Sequence, residues 1–306
     1  MRVLVTGAAG FVGSHVVRQL LASGDEVAAI VRQPGNPPRL ADVAEQVMFV
    51  RGDLDEPEGW RDRLAGWKPE ACVHAAWYAE PGRYLDSTES IRGLRFSLSL
   101  LDELALAGCQ NVVMTGTCFE YDTSIGYLDE ESPVKPATLY AACKLALSVA
   151  AAQRAAQLGV HFAWARIFYL YGPHEDPRRL VPAETLALLK GRDFPATKGD
   201  QVRDYMHVAD VAAGLRALAL TGSAGVYNVC SAEPVTLAEV MLTLGRIMGR
   251  DDLIKFGARP PSSFEPAFIC GRNERLRKAT GWKQSRTLHD GLRETVEWWK
   301  SRRAGD

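Results

Sequence analysis

The sequence contains no CxxC pair, no clustered histidines, no basic tract and no apolar run long enough to cross a bilayer. Its six cysteines (Cys72, Cys109, Cys118, Cys143, Cys230, Cys270) follow no regular spacing and its six histidines lie far apart. That excludes the usual zinc-ligand patterns and a disulfide framework, and leaves the thiols as small buried hydrophobes of a reducing compartment. Lys and Arg (36) balance Asp and Glu (37) for a formal net charge of −1. Charges scattered in this way give neither a nucleic acid nor a membrane surface a basic face to bind. No segment approaches the roughly 18 apolar residues of a membrane span. The chain opens on strand-like "MRVLVTG" with no room for a signal peptide, so a cytoplasmic location is expected. Repeats and low-complexity tracts are missing too. What is present, 306 residues of which 47% are hydrophobic, suffices for a large core and a second lobe.

Short apolar runs alternate with helical stretches through the first two-thirds. "RVLVTG", "DEVAAIVR", "QVMFVRGD", "EACVHAA", "QNVVMTG" and "VHFAWARIF" read as strands. Between them lie "GFVGSHVVRQLLASG", "EGWRDRLAGW", "SIRGLRFSLSLLDELALAG" and "LYAACKLALSVAAAQRAAQLG". Continuously apolar strands separated by helices predict an α/β fold with a doubly wound parallel sheet covered on both faces. After Gly172-Pro173 the rhythm changes. Residues 1–171 and 204–230 are expected to form the nucleotide-binding domain, and 172–203 with 231–306 a smaller substrate-binding lobe.

"VLVTGAAGFVGSH" sets Gly7, Gly10 and Gly13 between the first strand and the first helix. This is the Rossmann-type arrangement. Gly7 permits a tight turn, Gly10 lets the backbone approach a pyrophosphate, and Gly13 lets helix and strand pack, with Phe11 and Val12 opening a helix whose N-terminus faces the anion. The second strand ends "AAIVRQPG", without the carboxylate that bonds the ribose hydroxyls in NAD enzymes. Arg32 at that tip would attract a 2′-phosphate, so NADP(H) is favoured over NAD(H), unless Arg32 only caps a solvated loop. Asp53-Leu54 should lie near the adenine, though Asp53 also suits a helix N-cap.

Tyr140 and Lys144 stand four residues apart on a helical pattern and share a face. A cation beside a tyrosine lowers its pKa from about 10 and equips it to donate a proton near neutrality. Here the chain resembles the extended short-chain dehydrogenase/reductase family, in its nucleotide-sugar branch. The resemblance is carried by "TGAAGFVG", "GDL" at 52–54, "HAA" at 74–76, Tyr140/Lys144, "YGP" at 171–173, "RDYMHVADV" at 203–211 and "YNV" at 227–229.

Membership of that family would make Tyr140 the catalytic acid/base and Lys144 its partner, holding the phenol acidic and bonding the nicotinamide ribose. Ala75 and Ala76 would border the cofactor. Aligning Tyr121 of "GTCFEYD" with the tyrosine of the family's "SSxxVYG" assigns the catalytic hydroxyl to Thr117. In 4,6-dehydratase members that Thr is followed by Asp-Glu, the elimination pair. Here Cys118 and Phe119 stand there, and neither replaces an acid/base pair. Cys118 is expected to pack, while Glu120 either orients the loop or touches substrate.

By resemblance, Arg203 of "RDYMHV" and Arg259 of "GARPP" hold a sugar diphosphate. An ion pair with Asp210 is the other role open to Arg203. Trp77 and Tyr78 would form an aromatic wall for a deoxygenated sugar, and His174 and Arg178 would line the pocket or lie on solvated loops. The pattern most resembles 4-ketoreductases of nucleoside-diphosphate 4-keto-6-deoxyhexoses, implying a nucleoside-diphosphate sugar as partner and no metal. An NAD-retaining 4-epimerase and a non-catalytic NADP(H) sensor are the alternatives. Relatives often dimerise through two long helices, which makes a homodimer through 90–107 and 139–157 the expected assembly.

Overall fold

The computed structural model describes residues 1–33, 37–260 and 266–303. Pro34 and Gly35 of "AAIVRQPG", Pro261 of "GARPP" and the final residues of the expected C-terminal lobe fall outside these. Seven parallel strands form the main sheet: β1 (Arg2–Thr6), β2 (Glu26–Val31), β3 (Val47–Arg51), β4 (Ala71–His74), β5 (Asn111–Thr117), β6 (His161–Ile167) and β7 (Gly225–Val229). Their order is β7-β6-β5-β4-β1-β2-β3. Chain order reverses beside β1, where Thr6 pairs with Ile30 of β2 on one side and His74 of β4 on the other. In open α/β sheets this is where a ligand crevice forms, outside the carboxyl ends of the strands.

The strands are apolar along their length because both faces are covered. Helices α1 (Phe11–Ala22) and α6 (Val208–Thr221) pack on one face around Val3, Val5, Val16, Val211 and Leu215. On the other, α2 (Arg61–Trp67), α3 (Glu89–Leu106) and α4 (Leu139–Leu158) close over Leu4, Leu64, Leu100, Leu104, Leu147 and Trp164. This is a Rossmann-like architecture.

After Ile167 the chain leaves the main sheet. Tyr169–Tyr171 pairs in parallel with Val202–His207, which pairs antiparallel with Pro234–Thr236. Residues 204–207 therefore lie in a small separate sheet, and α6 and β7 bring the chain back to the main one. Helices α5 (Leu180–Leu189), α7 (Leu237–Met248) and α9 (Leu288–Arg303) gather around Val181, Leu188, Val240, Leu244, Leu292 and Val296. Helix α8 (Glu274–Thr280) returns to pack on α6 and β7. Among the described residues no helix is long and apolar enough to cross a membrane.

Candidate active site

The glycine turn is built for close approach. Gly7 has φ +67°, and a Cβ there would stand 2.7 Å from the backbone of Ala75 and Ala76. A Cβ on Gly13 would collide with the Gly7 carbonyl. Gly10 is the N-cap of α1, no side chain caps that end, and no acid occupies the first turn. The helix thus presents uncapped N–H groups and an unopposed positive dipole, so the cradle fits a dinucleotide pyrophosphate. Val12 packs on the core, and Phe11 meets the His15 ring edge-on at 5.9 Å.

Arg32, at the tip of β2, is exposed. A second cation, missed in the sequence, lies closer to the turn: Arg39 donates from Nη1 to the Ala9 carbonyl (3.3 Å) and from Nε to the His174 carbonyl (3.0 Å). Its signal was faint, an Arg seven positions past the strand tip. Asp53 caps no helix. Its carboxylate meets Arg92 of α3 at 3.2 Å and also accepts the Asp55 N–H, while half-buried Leu54 packs toward the core.

At the end of β5, Thr117 begins a short 3₁₀ turn over Cys118–Glu120. Glu120 is the device that holds it. This carboxylate, 0% exposed, accepts hydrogen bonds from the Thr117 N–H (2.8 Å), Trp164 Nε1 (3.0 Å) and Arg166 Nε (2.7 Å). Three donors and no acceptor suit the ionised form. Burial pushes its pKa up against the pull of Arg166. Gly116 must be glycine, since a Cβ would lie 2.5 Å from Glu120 Oε1. Of the two roles open to Glu120, it takes the orienting one. Trp164 and Arg166 alternate on β6, and an Arg inside an apolar strand was the readable sign of a buried partner. Cys118 packs as expected, among Tyr121, Leu128, Phe168 and Cys230, with burial pushing its thiol up to about 12. Phe119 meets the Tyr169 ring edge-on at 6.0 Å.

Helix α4 starts at a Thr138 N-cap that accepts from the Ala141 N–H, which sets Tyr140 in the first turn. The Tyr140 ring lies against Tyr84, ring centroids 4.9 Å apart. Its pKa moves opposite to expectation. Burial raises it, the Tyr84 phenol adds to the rise, and the Thr117 hydroxyl only partly offsets them. The Lys144 ammonium is held by other partners: Nζ donates to the Thr115 carbonyl at 2.6 Å and sits 3.9 Å over the Trp77 ring. Burial lowers the Lys144 pKa to about 7, with Glu120 opposing.

Trp77, expected in a substrate wall, turns a ring face to Lys144 and packs its six-membered ring on Gly93 of α3. Tyr84, seven residues past Trp77 and not singled out in the sequence, stands beside Tyr140 instead. Tyr78 donates to Glu80 (3.0 Å), which Arg178 approaches at 3.5 Å while also pairing with Asp176, so two loops are linked across the cleft. His174, at φ +70°, turns away from any sugar pocket. Its imidazole lies tilted against Trp298 of α9, ring centroids 4.6 Å apart, and meets His15 edge-on at 5.9 Å.

Arg203 is buried in the small sheet, donating to the Val202 carbonyl and lying 5.2 Å from the Tyr169 ring. Asp210, the other partner considered for it, accepts hydrogen bonds from Ser285 and Arg286. Arg259 is exposed beside a cavity of about 450 Å³ bordered by Thr197, Lys198, Gln201, Gly257 and Ala267. Arg203 is not among the residues bordering it. The structure therefore brings Thr117, Tyr140, Lys144 and Trp77 into one cluster beyond the glycine turn, and separates His174 from it.

Residues 3–230 match the NAD dependent epimerase/dehydratase family. The chain is 31% identical to a dTDP-glucose 4,6-dehydratase of Streptomyces niveus, covering 99% of this chain and 94% of that one. It is also 31% identical to a UDP-glucose 4-epimerase of Mycolicibacterium smegmatis, over 99% of each. Among solved structures, the DesIV dTDP-glucose 4,6-dehydratase of Streptomyces venezuelae, with NAD bound, superposes with a TM-score of 0.85 at 28% identity, covering 100% of this chain and 98% of that one.

Proposed function

The chain belongs to the NAD dependent epimerase/dehydratase family, and from that premise we propose that it is an NADPH-dependent reductase of the C4 keto group of a nucleoside-diphosphate 4-keto-6-deoxyhexose. The observation that carries this is the placing of Tyr140, half-buried against Tyr84 with its phenol pKa raised, in the cluster with Thr117, Lys144 and Trp77. Such a phenol keeps its proton at neutral pH, as a donor to a forming alkoxide must. The turn after β5 supports the same direction. Cys118 is packed away, Phe119 is aromatic and Glu120 is consumed by Arg166, which leaves no acid/base pair for elimination despite the dehydratases among the relatives.

The bound dinucleotide would supply hydride to the carbonyl carbon. Gly7, Gly10, Phe11, Val12 and Gly13 would hold its pyrophosphate, with Ala75 and Ala76 alongside, and Asp53 and Leu54 near the adenine. Tyr140 Oη delivers the proton to the substrate oxygen, Thr117 Oγ1 hydrogen-bonds that oxygen, and Lys144 holds the nicotinamide ribose. NADP(H) is favoured because Arg32 and Arg39 flank the region where an acid would otherwise repel a 2′-phosphate. Arg203, Arg259 and the cavity beside Lys198 suit a nucleoside diphosphate. Tyr78, Tyr84 and Tyr169 offer aromatic faces to the sugar.

The test is NADPH oxidation against a panel of nucleotide-linked 4-keto-6-deoxyglucoses, with NMR of the product. Tyr140→Phe should cut turnover by roughly 10²–10⁴-fold and leave NADPH binding nearly intact; full activity in that variant would sink the mechanism. The second reading is a 4-epimerase that retains NAD, favoured by the UDP-glucose 4-epimerase matched over its whole length. Purified protein carrying tightly held NAD and no net NADPH oxidation would select it.

A further inference from the structure

Lys144 is an ammonium in a dry place. It is 3% exposed, and its one hydrogen bond to backbone is to the Thr115 carbonyl at 2.6 Å. The nearest acid, Glu120, spends its oxygens on Thr117, Trp164 and Arg166, so it reaches Lys144 as a field rather than a contact. An unpaired buried ammonium ordinarily neutralises. What covers this one is an aromatic face, with Nζ lying 3.9 Å from the centre of the Trp77 ring and 5.9 Å from that of Trp164.

The Trp77 ring is itself fixed from several sides. A Cβ on Gly93 would come within 3.0 Å of it, Phe96 meets it edge-on at 6.4 Å, and Tyr140 does so from the site at 6.4 Å. It also follows directly on Ala76, whose backbone packs on Gly7. One side chain therefore connects the phosphate turn, α3 and the lysine.

Resting on the role given to Lys144 above, we infer that Trp77 is a positioning residue of the reaction: its indole face holds the Lys144 ammonium against the Thr115 carbonyl and keeps it charged. The quadrupole of the ring attracts a cation most strongly when both are desolvated. The titratable groups around Nζ are Tyr140 on its own helix, His74 on β4, and Glu120 after β5 with Arg166 of β6 behind it; α3 contributes Gly93 and Phe96. Burial holds His74 neutral, its pKa lowered to about 3, and Tyr140 is protonated. Burial lowers Lys144 to about 7 against the Glu120 field, and the Trp77 face adds to the side that keeps it charged. At that poise a modest loss of cation stabilisation empties the charged form at neutral pH.

The test titrates Lys144 directly, by ¹³C NMR of full-length protein labelled at lysine Cε, with the resonance assigned by Lys144→Arg. Trp77→Leu removes the π face and should lower the Lys144 midpoint by about one pH unit, a tenfold change in proton affinity. Trp77→Phe keeps a face and should move it far less. Should Trp77→Leu fold poorly, biosynthetic fluorotryptophan weakens the face at constant shape and should lower the midpoint by a smaller step. With an active keto-sugar, the alkaline limb of kcat/KM should move with the NMR midpoint. A Lys144 midpoint unchanged in Trp77→Leu, or in the fluorinated protein, overturns the inference whatever happens to activity. A shifted midpoint in a protein that reduces no keto-sugar supports the role of Trp77 and removes the proposed reaction.

Discussion

Glu120 sits three residues from the hydroxyl assigned to chemistry, yet its carboxylate faces inward and ties β5 to β6. Its three donors, the Thr117 N–H, Trp164 and Arg166, fix the turn that begins at Thr117. Removing it would strand Arg166, which is 4% exposed and lies 4.2 Å from the Tyr121 ring. Breaking one half of a buried ion pair costs about 3–5 kcal/mol because the remaining charge is left uncompensated. Glu120→Ala should therefore lower stability by about that amount in urea unfolding, and activity should fall with the loosened turn. Replacing both partners by apolar residues should recover part of the lost stability, since no orphan charge then remains.

Helix α5 carries a carboxyl that nothing in its own turn explains. Glu184 is 0% exposed, and among the described residues neither oxygen has a hydrogen-bond partner. Burial raises its pKa to about 9, so it is neutral in the folded protein at pH 7 and has an ordinary carboxyl pKa when unfolded. For a carboxyl raised in this way, the folded state binds the proton more tightly. The stability it supports is full below the unfolded pKa and is lost as pH rises toward about 9. The unfolding free energy of the parent protein should thus fall across neutral and alkaline pH relative to Glu184→Gln, by up to about 1.4 kcal/mol per pH unit. Denaturant midpoints at pH 5, 7 and 9 check this. A constant gap between the two proteins would mean that the carboxyl is ionised inside the helix pack.

At the scale of the whole molecule, α3 and α4 lie side by side on one face of the sheet with Ile91, Leu106 and Val149 exposed at 47%, 81% and 60%. We propose that this face carries the homodimer contact expected from the sequence. Light scattering should give twice the 33.5 kDa chain mass, and Val149→Glu should shift it toward the monomer. The sheet that carries these helices was legible in the sequence because strands buried on both faces must be apolar along their whole length, which marks them whatever their neighbours. The glycine turn was legible for a related reason: a positive φ at Gly7 and a collision at Gly13 are local demands that only glycine meets. Separate pairing of Tyr169–Tyr171 with Val202–His207 was not legible, because a short strand carries no mark of which sheet it joins. Nor were the roles of Glu120, Arg39 and Trp77. Each depends on a partner from a distant segment: Glu120 on Arg166, Arg39 on the His174 carbonyl, Trp77 on Lys144. By itself the sequence determined the layered sheet and the glycine turn, since apolar strands and local backbone demands mark them, while resemblance to the family pointed to Thr117, Tyr140 and Lys144. Only the tertiary structure decided where each charge goes, because a buried ion settles on whichever donor, acceptor or ring the fold brings within reach.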